Sequence, residues 1–159
     1  MLHLSENLLT MEQKLPEIVI GSDHAGFKMK EYIKQSLIVK GYFCKDFGTF
    51  SEESCDYPDI AHPLSEAVQL NQFQFGILLC GSGNGMAIVA NKYKSIRAAI
   101  CWNKETTKLA RLHNDANILI LPARFISLED AVNFSFLFLT TSFEGGRHQR
   151  RVDKITNSI

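Results

Sequence analysis

Short apolar runs alternate with longer amphipathic stretches from residue 17 onward. Runs rich in β-branched residues predict strands at residues 17–21, 42–47, 75–80, 96–101 and 117–121. The stretches between them predict helices at residues 28–40, 60–70, 86–90, 105–112 and 128–139, and a final segment at residues 143–152 leads into a last amphipathic helix. This alternation predicts an α/β fold, a doubly wound, five-stranded parallel sheet sandwiched by helices in the Rossmann-like manner.

Polar residues follow the first predicted strand at the place where such folds bind ligands. Ligands collect outside the carboxyl ends of parallel strands, and Asp23 and His24 come directly after the first strand. The pair is suited to binding a ligand, and an Asp before a helix is equally typical of a helix cap. The sequence leaves both interpretations open.

A glycine-rich loop follows the third predicted strand. Gly81, Gly83 and Gly85 alternate with Ser82 and Asn84, so the backbone can turn tightly and bring its N–H groups close to a ligand. Helix N-termini stabilise thiolates, which makes Cys80 the cysteine whose position predicts reactivity. The loop lacks the dinucleotide spacing and the Walker lysine, and a tight turn serving only strand-to-helix packing is the alternative.

Three further groups of residues are candidates for chemistry. His113 and Asn114 end the fourth helix, as an acid/base group with an orienting amide or as a histidine favoured by the negative helix terminus. A cationic cluster near the end of the chain is suited to phosphate recognition, and a solvated helix face is the alternative. Its members are Arg147, His148, Arg150 and Arg151. Tyr57 is a further candidate, although a type I turn alone would explain why Asp56 and Tyr57 precede Pro58.

Composition narrows the class of protein. The 159 residues carry 17 Lys and Arg against 17 Asp and Glu, so no net charge attracts the chain to nucleic acid or to a membrane surface. No apolar run approaches the roughly 20 residues of a membrane span. Residues 1–16 lack the features of a signal peptide, and four cysteines without metal-type spacing indicate a reduced, cytoplasmic protein. We expect an N-terminal extension at residues 1–16 and a single domain at residues 17–159.

Six motifs together resemble the type B ribose-5-phosphate isomerase family, which includes galactose-6-phosphate and allose-6-phosphate isomerases. The motifs are residues 21–26 (GSDHAG), 56–58 (DYP), 80–85 (CGSGNG), 90–92 (ANK), 113–115 (HND) and 144–148 (EGGRH). They occur in the order of the family between about residues 18 and 155. The resemblance implies a metal-free and cofactor-free interconversion of ribose 5-phosphate and ribulose 5-phosphate through an enediolate.

The resemblance also implies roles for individual residues. Cys80 is the base, because the glutamate that another branch of the family uses is Met86 here, and a thioether cannot accept a proton. Ser82 and the N–H groups of Gly81, Gly83, Asn84 and Gly85 hold the enediolate. His113, helped by Asp23, opens the sugar ring, while Asn114 and Tyr57 contact the sugar.

The phosphate and the assembly follow from the same resemblance. His24, Arg147 and Arg151 fall on phosphate-binding positions, Arg124 matches an arginine often supplied by the neighbouring subunit, and His148 is a further phosphate candidate. Members of the family are dimers or pairs of dimers, and we expect the last helix at the dimer interface. A hexose-6-phosphate isomerase and a non-catalytic sugar-phosphate-binding module are the alternative functions.

Overall fold

The computed structural model describes residues 14–157. Its strands are β1 (Ile18–Ser22), β2 (Cys44–Asp46), β3 (Phe75–Cys80), β4 (Ala98–Ile100) and β5 (Ile118–Pro122). Its helices are α1 (Phe27–Val39), α2 (Tyr57–Gln69), α3 (Asn84–Ala90), α4 (Lys104–Asn114), α5 (Leu128–Thr140) and α6 (Arg147–Asn157), and a 3-10 turn lies at His24–Gly26.

The five strands form one parallel sheet in the order β2-β1-β3-β5-β4. Central β3 pairs on one side with β1, where Ile77 lies opposite Ile20, and on the other with β5, where Ile77 lies opposite Leu119. The predicted doubly wound fold is confirmed. The chain winds outward from β1 to β2 and then returns to β3, so the crevice between the carboxyl ends of β1 and β3 is the topological switch point.

Each face of the sheet carries its own apolar core, because side chains alternate along a strand. Ile20 and Leu79 pack against α1 and α5 through Ile33 and Phe138. Their neighbours in sequence face the other way, and on that face Val19, Leu78 and Ile120 pack against α2 and α3 through Leu64 and Met86. The sheet is thus covered on both sides, and only its ends are open to ligands.

Several predicted bounds were wrong by a few residues. Helix α2 begins at Tyr57 and not at residue 60, because Pro58 lies in its first turn, where proline loses no helical hydrogen bond. The second strand is only Cys44–Asp46, since Gly41 adopts a φ of 87° and Tyr42 turns into the core. Ser127 caps the start of α5, because its Oγ accepts a hydrogen bond from the Asp130 amide at 3.0 Å.

A buried ion-pair network fixes the loop beside the switch point. The fully buried Lys30 Nζ donates to Asp46 Oδ1 at 2.7 Å and Oδ2 at 2.6 Å, and Lys34 Nζ donates to Oδ2 at 2.7 Å. Asp46 Oδ1 also accepts from the Gly48 amide at 2.8 Å. Gly48 in turn accepts from the Ser22 amide at 2.6 Å, so the network holds the backbone next to Asp23.

The prediction for residues 1–16 falls mostly outside the described residues, and the division into extension and domain stays a prediction. Residues 14–17 belong to no helix or strand. Within residues 14–157, none of the helices has the length and apolar character that crossing a membrane requires.

Candidate active site

Asp23 and His24 lie at the carboxyl end of β1. The buried Asp23 caps the 3-10 turn, because its Oδ1 accepts from the amides of Ala25 at 2.9 Å and Gly26 at 3.2 Å. Its own amide donates to the Leu79 carbonyl of β3 at 3.1 Å. His24 is half-buried and its Nδ1 accepts from the Cys55 amide at 3.3 Å, which leaves Nε2 available to a ligand. The cap interpretation of Asp23 is therefore confirmed, and the second carboxylate oxygen is not used by the cap.

The glycine loop presents backbone donors at the end of β3. Gly83 adopts a φ of 81°, which favours glycine, and α3 begins directly after it. The amides of Ser82, Gly83, Gly85 and Met86 have no hydrogen-bond acceptor among the residues that the structure describes. Unpaired donors grouped around a helix start form a site for an anion or a developing oxyanion.

Two long side chains lie directly on the glycines of this loop. A Cβ atom at Gly85 would come within 2.7 Å of Tyr57 Cε2 and Cζ, so the tyrosine ring lies against the backbone there. A Cβ atom at Gly81 would come within 3.1 Å of Arg124 Nη1. Arg124 thus lies on the loop of its own chain, although the resemblance predicted an arginine from a neighbouring subunit. A larger residue at Gly85 would displace the tyrosine ring, and one at Gly81 would push the arginine slightly away.

Cys80 ends β3 immediately before the loop. It is 5 % exposed and its side chain belongs to the core between the sheet and α2 and α3. The sulfur is more enclosed than the sequence suggests, yet the residue shares the sheet edge with Asp23 and Tyr57. Burial raises the pKa of the Cys44 thiol to about 12 and that of Cys101 to about 11, as is typical of structural rather than reactive cysteines.

A second group of candidate residues lies at the opposite, amino edge of the sheet. Helix α4 starts beyond the carboxyl end of β4 and runs back, so His113 and Asn114 in its last turn lie near the start of that strand. Arg97, directly before β4, donates from Nε to the Asn114 and Asp115 carbonyls at 3.2 and 2.9 Å. The helix direction in a doubly wound fold therefore separates His113 from the glycine loop.

His113 lies there with Glu144 and His148. The imidazole rings of His113 and His148 are stacked, with centroids 4.2 Å apart and planes 14° apart. Glu144 Oε2 lies 3.8 Å from His113 Nε2 and 4.0 Å from His148 Nε2. Exposed Arg147 and Arg151 belong to the same first turns of α6.

One chain thus brings together two separate groups of predicted residues. The first comprises Asp23, His24, Tyr57, Cys80, Gly81, Ser82, Gly83, Asn84, Gly85 and Arg124. The second comprises His113, Asn114, Arg147, His148 and Arg151. The predicted help of Asp23 to His113 does not occur within one chain, because β3 alone spans about 20 Å between the two edges.

Two features of the site were not predicted. Glu144 stood in a recognised motif without a role, and its position four residues before His148 was the available signal. The buried contact between Lys30 and Asp46 could not be predicted from the sequence pattern, because a lysine on an amphipathic helix is ordinarily solvated.

The fold and the first group of residues define an α/β protein that binds a small anionic ligand at the carboxyl edge of its sheet. The model of the Ribose/Galactose Isomerase family matches residues 18–155, and the chain belongs to that family.

Individual relatives agree with this membership. Ribose-5-phosphate isomerase B of Escherichia coli K12 is 41% identical over 142 residues, covering 89% of this chain and 95% of the relative. A crystal structure of a ribose 5-phosphate isomerase from Thermotoga maritima has a TM-score of 0.87 at 51% identity, covering 89% of this chain and 97% of that one. The enzyme of Mycoplasma genitalium with bound ribulose-5-phosphate has a TM-score of 0.86 at 40% identity, covering 89% of this chain and 95% of that one.

Proposed function

We propose that this protein interconverts ribose 5-phosphate and ribulose 5-phosphate. The observation that carries the proposal is the group of unpaired amides beside Cys80 at the switch point, which is suited to an oxyanion next to a base. The family membership and the relative with bound ribulose-5-phosphate support the substrate.

The reaction moves one proton between two neighbouring carbons. The thiolate of Cys80 takes the proton from C2 of the open-chain aldose, and the electron pair moves into an enediolate. The amides of Ser82 and Gly83, with the Ser82 hydroxyl, stabilise the negative oxygen. The Cys80 thiol then returns its proton to C1, the hydroxyl proton moves between the two oxygens, and the ketose results.

Binding requires groups from both edges of the sheet. We assign the phosphate to His24, Arg147 and Arg151, with Arg124 adding positive charge above Gly81. His113 opens the furanose ring with help from Asp23, and Tyr57 and Asn114 contact the sugar. His148 is buried against His113 and Glu144 instead of standing among the exposed arginines.

We infer that a second copy of the chain completes each site. What supports this assembly is the separation of His113, Arg147 and Arg151 from Cys80 within one chain. Ile88 on α3 and Ile155 on α6 are large apolar side chains exposed in the single chain, as expected of faces that pair with another copy. The dimer, the pair of dimers, the place of α6 at the interface and the cytoplasmic location stay predictions.

The experiment that tests the function compares substrates with the purified protein. We expect turnover of ribose 5-phosphate to exceed that of allose 6-phosphate and galactose 6-phosphate at least tenfold in kcat/KM, measured by ketose formation. Faster turnover of a six-carbon sugar would identify the hexose-phosphate isomerase instead. Binding of all three sugars without turnover would identify the non-catalytic module.

A further inference from the structure

The contacts of His148 set it apart from the arginines around it. It is 5 % exposed, and its Nε2 has no hydrogen-bond partner in the described part of the chain. A buried imidazole nitrogen without a partner lowers the stability of the fold, so its position calls for a functional explanation. The ring lies flat on His113, and one Glu144 oxygen lies 3.8 Å from His113 Nε2 and 4.0 Å from His148 Nε2.

The charges around the two histidines determine which of them interacts with the Glu144 carboxylate. Two stacked imidazoles cannot both be protonated without strong repulsion. Burial, together with the charges of His113, Arg147 and Arg151, lowers the pKa of His148, against the opposing effect of Glu144. The lowered pKa disfavours a proton on His148, which leaves Glu144 to interact with His113. Asp115, the other carboxylate at this helix end, is already occupied by Arg97 and Arg111.

The spacing of the three side chains raises the question of a metal ion. One ligand atom from each of His113, Glu144 and His148 lies within 4.8 Å of the others. A metal binds in the plane of an imidazole, along the nitrogen lone pair. Rings stacked 4.2 Å apart and 14° from parallel direct their lone pairs side by side, so one ion cannot meet both unless the rings separate.

We propose that Glu144 and His148 are positioning residues for His113. Glu144 Oε2 lies 3.8 Å from His113 Nε2, so a small movement of this exposed side chain brings it within reach of the Nε2 proton of His113. The flat face of His148 fixes the plane of the ring. This inference rests on the proposed function, which gives His113 the ring-opening step. It replaces a phosphate contact as the role of His148.

The arrangement selects one tautomer of His113. When Nε2–H donates to Glu144, Nδ1 carries the lone pair and is the nitrogen that meets the sugar. Ring opening moves one proton from the anomeric hydroxyl to the ring oxygen while the bond between C1 and that oxygen breaks. His113 Nδ1 takes this proton and passes it on, so no net charge remains on the imidazole.

The test separates ring opening from isomerisation. Ribulose 5-phosphate has no ring to open, because its C5 oxygen carries the phosphate, so its exchange of C1 hydrogen with D2O requires only the Cys80 step. We expect Glu144→Gln to lower kcat for ribose 5-phosphate about tenfold, since a charged hydrogen bond is lost. Deuterium incorporation into ribulose 5-phosphate should fall less than twofold.

Two controls accompany this variant. Glu66→Gln removes the same charge from an exposed position of α2, where residues 14–157 offer it no ion pair, and should leave both rates unchanged. His148→Ala should lower the rate with ribose 5-phosphate, and His148→Phe should restore most of it by restoring the stack.

Three outcomes would overturn the inference: equal loss of both rates in Glu144→Gln, no loss in either, or 15N NMR spectra of the unliganded protein showing His113 protonated on Nδ1. Failure of the proposed function is a different result, since wild-type protein would then show neither turnover nor deuterium exchange.

Discussion

At the scale of single residues, the proposed chemistry depends on one enclosed sulfur atom. Cys80 is packed among apolar side chains on the inner side and borders the amides of the glycine loop on the outer side. An apolar wall would keep water from the proposed base and strengthen the interactions of any charge that forms beside it. In the proposed reaction the sugar must therefore bring its C2 atom close to the loop backbone.

We expect Cys80→Ala to retain the fold and phosphate affinity and to lower kcat by at least a hundredfold, because only the proton acceptor is removed. Ketose formation and binding of ribose 5-phosphate by calorimetry measure the two effects. Cys101→Ala is the matched control, a buried cysteine outside the site, and should retain turnover. Wild-type turnover by Cys80→Ala would exclude the thiol as base.

The buried ion pair of Lys30 predicts how stability depends on pH. Burial raises the pKa of Asp46, but the hydrogen bonds from Lys30 and Lys34 outweigh it and lower the pKa below its usual range. The ion pair therefore stabilises the fold fully above the pKa of Asp46 in the unfolded chain, about 3.9. This stabilisation is lost as the pH falls through the lower pKa of Asp46 in the folded protein.

We expect Lys30→Met to lower the free energy of unfolding at pH 7 by about 2 kcal/mol, since Asp46 keeps only Lys34 as a close cation. Urea denaturation should also show that the free energy of unfolding falls less between pH 7 and pH 3 in the variant than in the wild type. Lys28→Met removes an exposed pair with Glu52 and should change stability little. An unaltered difference between pH 7 and pH 3 in Lys30→Met would refute the linkage.

At the scale of elements, the start of α3 and the start of α2 form one unit. The Tyr57 ring from the first turn of α2 covers Gly85 in the first turn of α3, and the tyrosine stays 39 % exposed towards the ligand side. The contact sets the distance between the ring and the loop amides. Helix packing therefore determines the width of the sugar site.

We expect Gly85→Ala to raise KM about fivefold, because the new methyl group would displace the Tyr57 ring. Gly85 does not adopt a positive φ, so alanine causes no backbone strain there. In a Tyr57→Ala background the same substitution should leave KM almost unchanged, since the ring is absent. Equal losses of kcat/KM in both backgrounds would show that the two residues act independently.

The elements also show how far the sequence could be interpreted. Strand and helix order, the doubly wound sheet and the loop beside Cys80 followed from apolar periodicity and glycine placement. The predicted start of α2 was wrong, because a proline is equally typical of a loop and of the first turn of a helix, and Pro58 lies in the first turn. The edge on which His113 lies could be predicted from the fold, since a helix that follows a strand in a parallel sheet returns to the amino edge. The stacking on His148 could not be, because it depends on the path of the chain through Gly145 and Gly146.

At the scale of the whole molecule, the two edges of the sheet can be tested separately. Cys80→Ala and His113→Ala each remove one group of the site, and each should be inactive as a pure protein. When the two are unfolded together and refolded, half of the dimers combine both variants and carry one intact site out of two. We therefore expect about a quarter of wild-type activity to return. No recovery from a refolded mixture that contains mixed dimers would place the whole site within one chain.

The sheet itself limits how copies of the chain can join. Both of its outer strands, β2 and β4, have only three residues, and Lys45 lies exposed in the middle of β2. Such margins offer too few backbone groups to recruit a strand from a neighbour. Growth of the sheet from one molecule into the next is therefore disfavoured, which protects the protein from fibril formation and leaves helical surfaces as the route by which copies recognise each other.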